Sequence, residues 1–224
     1  GGDHLGAAAM TPVHSIEACL SPAIGAHGLA PDELARWTDR LAPRFERLKA
    51  EARDCSLPQI RILYETADIA AARAAYDRLV AGARTLVLFG TGGSSLGGQA
   101  IAQLGGWFIP GDDRIGKENR PRLRFYDNLD ALSLVKGMEI MDLPKTRFLI
   151  ISKSGATAET LTQTLTVMER LRAHGMEAEF PRLFLCITEP EKPGVHNPLR
   201  TLFTNLGIPI LDHAPDIGGR FSVF

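Results

Sequence analysis

Apolar residues change their rhythm along the chain near residue 81. Before that point they recur every three or four positions; after it, short unbroken apolar runs alternate with such periodic stretches. Leu34, Trp37, Leu41, Phe45 and Leu48 form one stripe at helical spacing, opened by Pro31-Asp32-Glu33, a proline and two acids suited to a first turn. Pro43 falls inside the stripe and predicts a kink or break near Ala42. The stripe reads as core packing. Residues 14–26 read as a short helix through Ile16, Cys19, Leu20 and Ile24, interrupted by Pro22, and residues 67–81 as another anchored by Ile69, Ala72, Tyr76 and Leu79. The first dozen or so residues read as a loose end.

From there the pattern predicts strands at Thr85–Phe89, Leu123–Tyr126, Arg147–Ile151, Leu183–Thr188 and Ile208–Leu211, with helices near 94–105, 130–138, 157–174 and 196–205. Strands alternating with helices indicate a parallel sheet with crossover helices, hence an α/β class. His174-Gly175 supplies a C-terminal cap, and the polar stretch Gly111–Pro121 reads as a surface loop. The expected organisation is an N-terminal helical segment over 1–80 followed by an α/β domain over 81–224.

Two strand-to-helix junctions carry the chemistry. After the third apolar run come Ser152-Lys153-Ser154-Gly155-Ala156-Thr157, then an amphipathic helix through Leu161, Leu165, Met168 and Leu171. A helix start exposes unpaired N–H groups and the positive end of its dipole, and Ser152, Ser154 and Thr157 add side-chain donors, a set that suits a phosphate. The same residues also fit plain helix capping, and residue pattern alone leaves both readings open. After the first apolar run come Gly90-Thr91-Gly92-Gly93-Ser94-Ser95. Glycines there let a ligand approach the backbone closely. A dinucleotide fingerprint fails in detail, with Ser95 at its third glycine, and no Gly-Lys-Ser/Thr of a nucleotide P-loop follows. In an open parallel sheet, ligands bind beyond the strands' carboxyl ends where strand order reverses, so neighbouring junctions would share one crevice. Gly97-Gly98 reads as tight helix packing.

Composition narrows the alternatives. With 25 basic and 26 acidic residues, net charge −1 and no basic run, nothing points to nucleic acid or an anionic membrane. A hydrophobic content of 45% permits a sizeable core, and no apolar run is long enough to span a bilayer. Cys19, Cys55 and Cys186 are odd in number and widely spaced, against a disulfide framework or zinc site and in keeping with a reducing cytoplasm.

Gly92-Gly93-Ser94-Ser95-Leu96-Gly97, Asp127-Asn128-Leu129-Asp130, Ser152-Lys153-Ser154-Gly155-Ala156-Thr157 and Asp216-Ile217-Gly218-Gly219-Arg220-Phe221-Ser222 occur in that order. Together they resemble the glucose-6-phosphate isomerase family of the bacterial type, over roughly residues 30–224. The resemblance implies a sugar isomerase (SIS) fold, a three-layer sandwich with a five-stranded parallel sheet. It also implies interconversion of glucose 6-phosphate and fructose 6-phosphate through a cis-enediol, without metal or organic cofactor. By position, Ser152, Lys153, Ser154 and Thr157 resemble the sugar-phosphate loop, and Gly93 and Ser94 the backbone and hydroxyl contacts to substrate. Gly219 and Arg220 resemble the pair beside the reacting carbons, with Arg220 in a catalytic role, its permanent planar charge stabilising the enediolate. Ser95 stands where some relatives carry Asp. The family's carboxylate base, ring-opening histidine and late lysine have no match here. None of the six histidines fits the ring-opening position, His213 reads as structural, and Glu159 as a helix-start residue. The resemblance further implies a homodimer at full length and a cytoplasmic location. The alternative is a non-catalytic SIS module that binds a sugar phosphate for regulation.

Overall fold

The computed structural model describes residues 14–107 and 120–221, Arg220 by its backbone alone. Most of the expected 111–121 loop and most of the expected N-terminal loose end lie outside the described residues. Two compact units divide the chain, Gly1–Leu57 and Pro58–Phe224.

In the first unit, the stretch around Pro22 is not one helix but a series of single turns, with α1 at Ser21–Ile24 between two 3₁₀ turns. Helix α2, Pro31–Arg53, runs through Pro43 without a break. The stripe expected as core is exposed instead: Trp37 and Leu48 are each 47% accessible and Leu41 and Phe45 each 56%. Cations cover part of it, the Arg40 guanidinium over the Trp37 ring at 4.9 Å and the Lys49 ammonium over Phe45 at 4.5 Å.

The second unit opens with α3, Pro58–Arg61, and α4, Ile69–Val80. Then β1 (Thr85–Phe89), α5 (Gly93–Leu104), β2 (Arg122–Tyr126), α6 (Ala131–Glu139), β3 (Thr146–Ile151), α7 (Ala158–Ala173), α8 (Phe180–Leu183), β4 (Phe184–Thr188), α9 (Pro198–Asn205) and β5 (Ile210–Asp212) follow. The strands form one sheet in the order β2-β1-β3-β4-β5, and every pairing is parallel. This is the expected SIS-type α/β sandwich. The last strand starts two residues later than the apolar pattern suggests. Gly207 takes φ +65°, and Pro209, which has no N–H, only accepts a bond from Cys186 N–H.

Side chains alternate across the sheet and feed two cores. On one face Val87, Phe89, Phe148, Ile150, Phe184 and Cys186 pack with residues of α6, α7 and α9, such as Leu134, Val167, Leu171 and Phe203. On the other, Leu86, Leu185 and the half-buried Leu88, Leu123 and Leu149 pack with Ala75, Tyr76 and Leu79 of α4. Phe125, in register with Leu88, turns to this second face, where its ring meets α5 beside Gly98 and lies 5.0 Å from the Trp107 ring. The edge strands β2 and β5 stay partly exposed, and β2 carries Arg122 and Arg124, whereas the central strands β1, β3 and β4 are buried on both faces and are therefore nearly apolar throughout rather than alternating. Arg147 is the exception. It is 2% exposed, and its guanidinium donates to the carbonyls of Ala81, Pro144 and Thr146 at the amino end of the sheet, where burial lowers its pKa.

Candidate functional site

The chain leaves β1 for one neighbour, β2, with α5 on one face, and returns past β1 to β3 with α6 on the other. Strand order thus reverses between β1 and β3. Phe89 is in register with Ile150, so the two strands end together, and the turns Gly90–Gly92 and Ser152–Thr157 lie side by side at the switch point. A Cβ on Gly90 would lie 2.8 Å from the Ser94 carbonyl and 3.2 Å from that of Ile151, so the first turn is pressed against the end of β3.

The first turn is almost all backbone. Gly92, at φ +54°, precedes α5 without any side-chain cap. A Cβ on Gly93 would stand 1.7 Å from the carbonyl oxygen of Gly219, so α5 begins in direct backbone contact with the Gly219–Phe221 turn. Gly93 and Gly219, 126 positions apart in the chain, are thereby brought together. Ser94 starts α5 half-buried beside them; Ser95 is buried and accepts from Gln99 Nε2 at 2.7 Å. Arg220 lies in the same turn by its backbone, and its side chain is outside the described residues.

The segment leading to Gly219 is tethered from several sides. His213 N–H donates to the Thr188 carbonyl at 2.9 Å, and its buried ring bonds the Ala214 carbonyl through Nδ1 at 2.8 Å, a structural contact. Ile217 is buried, and Arg61 Nη2 reaches Asp216 Oδ2 at 2.6 Å. That hydrogen bond holds the Asp216 carboxyl below the usual carboxylate range.

The second turn is held by side chains. Ser152 is 2% exposed, and its hydroxyl shares one hydrogen bond of 3.0 Å with that of Thr157. Two hydroxyls carry two protons, and their mutual bond uses one. The pair therefore keeps one O–H for a ligand, and the less buried Thr157 is the residue placed to present it. Ser154 is exposed and accepts from the Ala156 N–H at 3.2 Å. Lys153 is anchored by its carbonyl, which accepts from Glu189 N–H at 3.0 Å and the Thr188 hydroxyl at 3.2 Å. Its ammonium pairs with Glu189 Oε1 at 3.2 Å. Gly155, at φ +65°, packs on Asn197: a Cβ there would meet Oδ1 at 1.7 Å. Asn197 in turn caps α9 through Arg200 N–H and donates to the Thr188 hydroxyl and the Glu189 carbonyl. Glu159 lies half-buried in the first turn of α7.

The Asp127–Asp130 loop follows β2 and is gripped by both helices that start at the site. Gln99 of α5 donates to Asp127 Oδ2 at 3.0 Å, and Gln163 of α7, 1% exposed, donates to the Asn128 carbonyl at 2.6 Å. Asp130 caps α6 by accepting from Leu132 N–H. The residue pattern left Gln99, Gln163, Glu189 and Asn197 unremarked. Asn197-Pro198 is a helix-start signal that would have found the last of them; the two glutamines carry no local signal, because their partners lie 28 and 35 positions away.

Comparison with known proteins gives a consistent picture. The family model for phosphoglucose isomerase matches residues 73–224. A glucose-6-phosphate isomerase of Carboxydothermus hydrogenoformans is 36% identical over 139 residues, 61% of this chain and 28% of that protein. A probable glucose-6-phosphate isomerase of Haloquadratum walsbyi is 27% identical over 203 residues, 88% of this chain and 42% of that protein. The chain therefore spans less than half the length of these relatives. Among solved structures, a hypothetical protein of Thermus thermophilus superposes with a TM-score of 0.61 at 26% identity, covering 86% of this chain and 43% of that one.

Proposed function

Since this chain belongs to the phosphoglucose isomerase family, we propose that it supplies the sugar-phosphate cradle of an aldose–ketose isomerase acting on glucose 6-phosphate and fructose 6-phosphate. One observation carries the reading: two helix starts adjoin at the switch point of a parallel sheet, and the Gly219–Phe221 turn rests on one of them. The phosphate takes the Ser152–Thr157 turn, where the first-turn amides of α7, the Thr157 hydroxyl and the exposed Ser154 hydroxyl converge. Ser152 stands behind Thr157 and orients it. The sugar extends toward Gly93, Ser94 and Gly219. Arg220 belongs beside the reacting carbons in this scheme. A proton taken from C2 of the aldose leaves an enediolate, the guanidinium stabilises that negative charge, and return of the proton to C1, with the O2 hydroxyl proton passing to O1, gives the ketose. The base that carries the proton is assigned to none of the residues named above, and a homodimer in a reducing cytoplasm is the setting the family implies.

Calorimetric titration of the 224-residue chain with glucose 6-phosphate tests the cradle. Thr157→Ala removes a hydrogen bond to a charged group and is expected to weaken binding roughly 10- to 100-fold. Unchanged affinity in that variant would remove Thr157 from the site. In a coupled assay the same chain should isomerise far more slowly than a complete family enzyme, for want of a base within reach of the proton. Comparable turnover would show that the base lies within these residues.

A further inference from the structure

Lys153 lies in the phosphate turn and reaches the backbone that leads into the Gly219–Phe221 turn. Its carbonyl is fixed by the Glu189 N–H and the Thr188 hydroxyl, so its backbone belongs to the phosphate turn and to the end of β4 together. Its side chain returns to the same residue, Glu189. Nζ sits 3.2 Å from Glu189 Oε1, and a Cβ built on Gly218 would lie 3.2 Å from Nζ, so the ammonium rests against the backbone that leads into Gly219. Glu189 is well placed to keep it there. Its side chain is only 13% exposed, and Lys192 approaches its other oxygen at 2.7 Å. Burial pushes the Glu189 carboxyl up, but hydrogen bonds from Lys192 and Lys153 outweigh it and hold the group below its usual range, ionised.

On the sugar-phosphate reading above, we propose that Lys153 is a positioning residue rather than an ammonium ligand of the anion, and that Glu189 is its seat. The pair braces the segment 216–219 against the phosphate turn, so that the Gly219–Phe221 turn meets Gly93. The phosphate turn has amides and hydroxyls to meet the anion without this ammonium. Turning the ammonium toward a phosphate would strip a mostly buried carboxylate of one of its two cations, an exchange of one charge pair for another with a desolvation cost added. The brace also explains why a lysine of the phosphate turn sends its side chain to Glu189 and the backbone before Gly219.

The test uses Lys153→Met, Lys153→Arg, Glu189→Gln and the Met/Gln double variant, with amide exchange at residues 218–221 and calorimetry with glucose 6-phosphate and inorganic phosphate. Lys153→Met and Glu189→Gln should each speed exchange at 218–221 by about tenfold, the double variant no more than either, and Lys153→Arg should restore most of the protection. Affinity for inorganic phosphate should change less than about threefold in Lys153→Met, well short of the loss in Thr157→Ala. A large loss of phosphate affinity in Lys153→Met with exchange unaltered would make the ammonium a ligand and overturn the brace. Unaltered exchange in both single variants would overturn it as well. Absence of sugar-phosphate binding by the unaltered chain would sink the functional reading, while the exchange measurements would still decide the brace.

Discussion

The turn after β1 and the turn after β3 lie side by side in one sheet, yet they are made from different material. The first is glycine: Gly92 precedes α5 and offers no capping side chain, and Gly93 meets Gly219 backbone to backbone. The second is a lattice of hydroxyl, amide and carboxylate contacts that joins Ser152 to Thr157, Lys153 to Glu189 and Gly155 to Asn197. A glycine turn has no side chains with which to hold itself, so its shape is set by what presses on it. A hydrogen-bonded turn carries its own supports. The first should therefore fail when a contact is filled, and the second should lose strength piece by piece.

The largest effect expected from this difference is at Gly93. An added methyl carbon would lie 1.7 Å from the Gly219 oxygen and 2.3 Å from its carbonyl carbon, inside backbone that has no rotamer with which to yield. Gly93→Ala must push α5 and the Gly219–Phe221 turn apart. It should cost about 3 kcal/mol or more in chemical denaturation, and sugar-phosphate binding should fall with it. A variant as stable as the unaltered chain would show that this contact does not shape the turn. The comparison sharpens at Gly155, where the obstacle is the Asn197 side chain instead of backbone. Gly155→Ala at φ +65° adds the strain of a left-handed alanine to the loss of a cap on α9, about 2 kcal/mol in all. Asn197→Ala made with it should cost little more than Gly155→Ala alone, since the two changes damage one contact. Additive costs would separate them.

What the residues disclosed divides along the same line. Strand β1 falls on the residues its apolar run predicts, and β2, β3 and β4 fall within one residue of theirs; in the central strands β1, β3 and β4 burial on both faces leaves a nearly continuous apolar run, while the edge strand β2 keeps Arg122 and Arg124 among its apolar residues. The hydroxyl turn was legible as a possible anion site, since Ser152, Ser154 and Thr157 announce donors in the sequence. Their internal wiring was not. Nothing in the order of residues says that Ser152 spends its hydroxyl bond on Thr157, or that Lys153 is held by Glu189, 36 positions later. The glycine turn was legible only as permissive backbone; that Gly93 is shaped for Gly219 is a tertiary fact with no local trace. The α2 stripe misled for a related reason. Helical spacing predicts which residues share a face, and Trp37, Leu41, Phe45 and Leu48 do share one, but spacing does not say what covers it.

The smallest effect, and the cleanest separation of the two turns, should come from salt. The segment resting on the first turn is tied by Arg61 to Asp216, whose side chains are 45% and 41% exposed, whereas Lys153 and Glu189 are 34% and 13% exposed. Raising ionic strength from about 0.1 to about 1 M shortens the screening length from ~10 to ~3 Å and weakens exposed pairs well before buried ones. Amide exchange at Gly218 and Gly219 should therefore quicken with salt while exchange at Gly155, beneath the second turn, holds steady. Acid should not separate them. The Asp216 carboxyl is held low by Arg61, so its contribution is complete above the ordinary carboxylate value of about 3.9 and disappears as pH falls through the lowered one. Glu189 is held low too, by Lys192 and Lys153 against its burial, so its support fades in the same direction below about 4.3. Exchange that quickens equally at both turns in salt would mean that exposure does not distinguish these ion pairs, and exchange unaltered at Gly218 and Gly219 in both salt and acid would mean that the glycine turn is held by its backbone contact alone.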